Sequence, residues 1–220
     1  MKSSFVRAFV VICGLLITCE LAHANTIFTL GNNPSGDVNI LLNSGATGMT
    51  VQGSPNGFPA ITVNFTSTQD LLEPSSGQAR VAANPEGTPL TNLTISLANG
   101  FSYGDLIINP FVGGPGVCPL CTGGTATITV TPLSSTGVVE PNATFMYDLG
   151  NGNNFLTITT SGGESILRTS ISAPGGFNDL RQPRISGPFT PAAVPEPESL
   201  SLLGCGLIGL GFLIRKFRRG

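Results

Sequence analysis

Over and over, this chain places an apolar residue at every second position and a small polar one between. Ile61, Val63 and Phe65 alternate with Thr62, Asn64 and Thr66, and Leu93, Ile95 and Leu97 with Thr94, Ser96 and Ala98. Ile128 and Val130 sit among Thr127, Thr129 and Thr131; Phe145, Tyr147 and Leu149 repeat the pattern, as do Leu156 and Ile158 between Thr157 and Thr159. A period of two sends successive side chains to opposite faces of a strand, so each run has one face to bury and one to leave wet. Turn formers separate the runs: Asn32-Asn33-Pro34-Ser35-Gly36, Ser54-Pro55-Asn56-Gly57, Gly113-Gly114-Pro115-Gly116, Gly150-Asn151-Gly152 and Pro174-Gly175-Gly176. About ten short strands follow from this spacing, and no long amphipathic helix is visible. The expected fold is all-β, an antiparallel β-sandwich of which a jelly roll is one form. Thr68 to Glu73 is expected as one capped helical turn stopped by Pro74. Gly175 to Ile185 reads as a final edge strand in which Pro183 is tolerated and Arg181 and Arg184 discourage pairing.

Charge is distributed unevenly. The formal net charge of −2 conceals cations gathered at the two ends, Lys2 and Arg7 at one and Arg215, Lys216, Arg218 and Arg219 at the other. Between Asn25 and Glu196 there are ten carboxylates, four arginines and no lysine, a net charge of −6. Nucleic-acid binding rests on clustered cations that neutralise phosphates, so such a body excludes nucleic acid as a partner.

The first 24 residues read as an export signal. Lys2 and Arg7 supply a charged start, Phe5 to Ile17 is largely apolar, and Ala22 and Ala24 are the small residues a signal peptidase requires before its cut. A lipobox alternative, Leu16-Ile17-Thr18-Cys19, carries an oversized Thr18 before its cysteine. At the other end, Leu200 to Ile214 is uncharged and mostly apolar, followed at once by the basic cluster. Such a helix reaches about 22 Å, short of the hydrocarbon core, and makes a marginal membrane anchor. The positive-inside rule keeps Arg215, Lys216, Arg218 and Arg219 cytoplasmic and the acidic body outside.

Val194-Pro195-Glu196-Pro197, a short apolar helix and a terminal basic cluster, in that order, resemble the PEP-CTERM sorting signal of Gram-negative bacteria. The resemblance covers only the tail. It implies cleavage near the motif by the membrane protease exosortase, a transient stay at the inner membrane, and sorting to the cell surface or an extracellular polysaccharide matrix. Pro195 and Pro197 lack amide donors and favour an extended chain, which suits a protease substrate just outside the membrane. The expected organisation is a signal peptide at 1–24, a sandwich ectodomain at 25–186, a proline-rich stalk at 187–198, a transmembrane helix at 199–214 and a basic tail at 215–220.

Absences narrow the chemistry. His23 is the sole histidine and leaves with the signal peptide, so the mature body has no imidazole for a Ser-His-Asp or Cys-His site or a His-bearing zinc site. Carboxylates such as Asp105, Glu140, Asp148 and Glu164 remain available for glycoside hydrolysis, but the sequence pairs none of them. No cofactor or metal is expected. Cys118-Pro119-Leu120-Cys121 lies among glycines with no helix to activate a thiol, and reads as a local disulfide formed in an oxidising compartment. Asp148 to Asn154 offers oxygens to calcium but lacks the acid count and closing glutamate of an EF-hand loop, and is expected as a hairpin turn. With no tryptophan, and with Tyr103 and Tyr147 inside strand alternation, aromatic sugar platforms are not evident. Asn64, Asn92 and Asn142 open N-x-T triplets that read as polar strand faces. The reading is a non-catalytic exported surface or matrix protein; the alternatives are a carbohydrate-binding module of the exopolysaccharide and a polysaccharide-acting enzyme.

Overall fold

The computed structural model describes residues 26–33, 37–42, 44–73, 79–113, 117–187 and 190–191. Among them the chain forms β1 (Thr26–Leu30), β2 (Val38–Leu41), β3 (Thr47–Pro55), β4 (Val63–Leu72), β5 (Arg80–Ala83), β6 (Leu90–Leu97), β7 (Phe101–Ser102) and β8 (Leu106–Ile108). The remainder are β9 (Pro110–Phe111), β10 (Gly124–Leu133), β11 (Ala143–Leu149), β12 (Leu156–Thr160), β13 (Ser165–Phe177), β14 (Asp179–Arg181), β15 (Arg184–Ile185) and β16 (Thr190–Pro191). One 3₁₀ turn, Ala98–Gly100, joins β6 to β7, and no helix of the described residues is long and apolar enough to cross a membrane. The membrane helix expected at 199–214, the export signal, the PEP motif and the basic tail lie outside the described residues.

The fold is all-β and its strand pairs are antiparallel, as the alternation requires. One layer runs β1-β12-β8-β15-β2, and the β2–β3 pair leads into the other, β3-β4-β6-β13-β10-β11. The two layers share one core. Ile40, Leu106, Ile108, Leu156, Ile158 and Ile185 from the first meet Phe65, Leu93, Ile95, Ile128, Val130 and Ile171 from the second. At the far edge, where β1 and β11 each have one strand neighbour, Phe28 stacks on Phe145 with ring centres 5.1 Å apart, nearly closing the sandwich through side chains. Full burial of each such aliphatic side chain contributes about 1.5–3 kcal/mol, so this shared interior is the principal source of stability.

Outside the β3-to-β11 layer, the polar half of the alternation forms a cross-strand row. In register stand Thr50, Thr66, Thr94, Ser170, Thr129 and Thr144. Thr50 and Thr66 hydroxyls bond at 3.0 Å, as do those of Thr94 and Ser170. β-Branched threonine favours strands and wets the outer face without charge, which explains how a sandwich without lysine covers a broad sheet.

Three expectations are corrected. Thr68 to Leu72 continues β4 rather than turning: the Thr68 N–H donates to the Asn92 side chain at 3.0 Å while Leu71 is buried and pairs with Ala83, so cross-strand partners override the local capping signal. Gly175 to Ile185 is not an edge strand. β14 is flanked by β5 and β9, and β15 by β2 and β8; the Pro183 carbonyl accepts the Ile40 N–H at 2.9 Å, so the segment sits inside the sheet network and proline falls between two short strands. Asp148 to Asn154 is not a hairpin turn, because β11 pairs with β10 whereas β12 pairs with β1 and β8; the loop carries the chain between layers.

Candidate functional site

Three of the body's four arginines converge. β5 and β14 set Arg80 directly opposite Arg181, and β15 and β2 set Arg184 opposite Asn39. Between β14 and β15, Gln182 takes a positive φ of 47°, bending the chain so that Arg181 and Arg184 reach one cleft of about 490 Å³. Its walls are Asn39, Leu41, Ala79, Arg80, Arg181, Gln182 and Arg184, with no carboxylate among the described lining residues.

Like charges facing each other across a ladder repel, and Asp179 relieves them from behind. That carboxylate is fully buried. It accepts the Arg181 Nε–H at 2.7 Å and the Asn178 amide at 2.8 Å, and lies 3.4 Å from Arg80 Nε. Arg80 also pairs with Glu86, and the Arg181 guanidinium lies 3.4 Å over the Phe111 ring centre. The stacking desolvates one face of Arg181 and fixes its plane. Arg184 donates to two neutral oxygens, Asn32 Oδ1 at 3.2 Å and Gln182 Oε1 at 3.4 Å. Its charge is therefore compensated by weaker partners than those of Arg80 and Arg181.

A second hollow of about 530 Å³ lies beside the β1–β11 edge, lined by Leu30, Tyr147, Asp148, Asn154 and Phe155 among others. Its loop is fastened from within. The Asn154 amide donates to the carbonyls of Gly150 at 2.8 Å, Gly152 at 3.1 Å and Pro110 at 3.0 Å, and its oxygen accepts the Gly150 N–H at 2.8 Å. Asp148 accepts the Thr125 hydroxyl at 2.7 Å. Asp148 Oδ1 and Asn154 Oδ1 are thus turned to protein donors, and no metal-binding cluster of His, Cys, Asp or Glu occurs among the described residues.

Cys118 and Cys121 are bonded to each other and both are buried, their loop docking on the end of β13 through Thr122 N–H to Gly175 O and Gly123 N–H to Gly176 O. Asn64 meets Gln52 at 2.9 Å, Asn92 holds Ser67 and Thr68, and Asn142 accepts from Thr131 at 2.9 Å. Asp105 accepts from Ser186. Ala22, Ala24, Val194, Pro195, Glu196, Pro197, Arg215, Lys216, Arg218 and Arg219 lie outside the described residues. The arginine cleft was not anticipated from sequence: Arg80 lies a hundred positions from Arg181, and the concentration of the body's cations in arginine alone was the one available sign.

Residues 193–219 match the PEP-CTERM protein-sorting motif. The match takes in the Pro-Glu-Pro triplet, the apolar run and the basic cluster, and leaves the sandwich outside it. No curated protein matches the chain. Among solved structures, a mutant of CBM29-2, a family 29 carbohydrate binding module, aligns over 74% of this chain and 89% of that one, with 11% identity and a TM-score of 0.19. That score is too low to bear on fold or ligand.

Proposed function

We propose that this protein is exported, held briefly at the inner membrane by its tail, cut by exosortase near Pro195-Glu196-Pro197, and left at the cell surface or in the extracellular matrix as a non-catalytic β-sandwich. The observation that carries the proposal is the sorting-motif match at 193–219. An export signal at the opposite end of the sequence agrees with it, because the basic cluster stays inside while the acidic body crosses. The disulfide between Cys118 and Cys121 suits an oxidising compartment. Absence of histidine from the mature body favours a non-catalytic role over a histidine-dependent hydrolytic one. Mass spectrometry of the native protein tests the whole path: the expected termini are Asn25 and a residue near Pro197, and a native chain that retains Leu200 to Gly220 in a host with active exosortase overturns it.

A further inference from the structure

We infer that the arginine cleft binds an acidic sugar through its carboxylate. The site is a property of the described body and does not depend on how the tail is processed. Three guanidinium groups border one cleft in a body whose net charge is −6, and the described lining holds no acid. If these arginines served only to neutralise Asp179, Arg184 would be superfluous, since the hydrogen bonds to that carboxylate come from Arg181 and Asn178, with Arg80 Nε alongside. Arg80 Nε is buried beside Asp179 at 3.4 Å, so this guanidinium can meet the cleft only through its remaining N–H groups. Guanidinium forks match the planar, two-oxygen shape of a carboxylate, and such charge-assisted pairs are the strong class of hydrogen bond.

The rest of the lining fits a sugar ring rather than a bare ion. A volume of about 490 Å³ falls in the range of small-molecule sites and far exceeds a single carboxylate. Asn39 and Gln182 supply amides able to donate to and accept from hydroxyls, while Leu41 offers an apolar contact. Arg181 is held in plane by Phe111 and Asp179, so little side-chain entropy is lost when a ligand arrives. Arg184 sits on β15 between two strands, which fixes its backbone in the same way.

Trigalacturonate is the probe, with maltotriose as its neutral counterpart and inorganic phosphate as the bare ion, titrated calorimetrically against the full-length chain in detergent. Because the basic tail is the same in each protein, differences between variants report the cleft. Wild type is expected to bind trigalacturonate and not maltotriose. Arg184→Gln should weaken binding at least about tenfold, the worth of one charge-assisted hydrogen bond, and Arg184→Lys should recover part of the loss. Gln182→Glu, at an exposed position whose side chain already accepts from Arg184, places a competing carboxylate in the cleft and should abolish binding. Equal affinity of wild type for trigalacturonate and maltotriose overturns the inference, as does undiminished binding by both Arg184→Gln and Gln182→Glu. Phosphate displacing the sugar at matched concentration would mark an oxyanion site and overturn the sugar assignment.

Discussion

Tyr103 is sealed in the core, its hydroxyl donating to Thr169 Oγ1 at 2.9 Å, and burial pushes its pKa well above the usual value for a phenol. Burial raises Tyr147 likewise. A phenol that resists ionisation in the fold but ionises freely when unfolded costs the native state stability once pH exceeds the unfolded pKa of about 10, because the unfolded chain then binds fewer protons. Stability is therefore expected to be intact below about pH 10 and to fall above it by about 1.4 kcal/mol per pH unit for each tyrosine. Tyrosinate absorbance checks this, since the chain has two tyrosines and no tryptophan: both should ionise together with unfolding, and ionisation of a folded protein at the normal phenol pH would contradict it. Asp179 makes the opposite demand. A buried carboxylate is tolerable only while paired, and removing it leaves Arg80 and Arg181 face to face. Asp179→Ala is expected to destabilise by about 3–5 kcal/mol in urea denaturation, as for a broken buried ion pair.

Among the elements, β13 shows what alternation does and does not encode. Its middle, Thr169 to Ala173, alternates buried and open faces between β6 and β10, a run not singled out from sequence because its buried face carries Thr169 and Ala173 beside a lone Ile171. Its end, Pro174-Gly175-Gly176, reads as a breaker, yet the strand runs through it, with a positive φ of 69° at Gly176 and a register shift before Phe177, while the disulfide loop hydrogen-bonds to it. A Cβ added at Gly175 would collide with the Gly123 carbonyl oxygen, so the glycine is there for close approach between backbones rather than for a turn. Sequence shows a glycine in both cases and cannot tell the two uses apart. The same limit hid the cleft: Arg80 and Arg181 meet only through the β5–β14 register, set by contacts a hundred residues apart. The disulfide loop needed no such distance, since its cysteines are three positions apart. Gly175→Ala should lower stability by about 1–3 kcal/mol, the usual cost of forcing extra volume into a packed contact. Gly150→Ala, whose added carbon would meet only Asn154 Oδ1 at 4.0 Å, is the control and should leave the melting curve near wild type.

For the whole molecule, the tail carries the sorting-motif match and the sandwich before it carries the cleft. Thr190 and Pro191 pair with Ser102 and Phe101, so the segment leading to the Pro-Glu-Pro triplet leaves from the sandwich itself, with few residues between the last strand and the motif. On the proposed path, a folded body tethered so near the membrane would leave the protease a short stretch, and prolines, which lack amide donors, disfavour both sheet pairing and helix. Recognition should then depend on the prolines, and retention on the basic cluster, whose passage through hydrocarbon is costly. Replacing Pro195 and Pro197 by alanine is expected to leave the full-length chain in the membrane fraction, because the stop remains while the cut is lost. Ending the chain at Pro197 is expected to release the body with no membrane-bound intermediate, because the stop itself is gone. Immunoblots of membrane and soluble fractions separate these outcomes by size and location. Normal processing of the double alanine variant would show that the protease reads something other than the prolines, and membrane retention of the truncated chain would place the anchor elsewhere than in the tail.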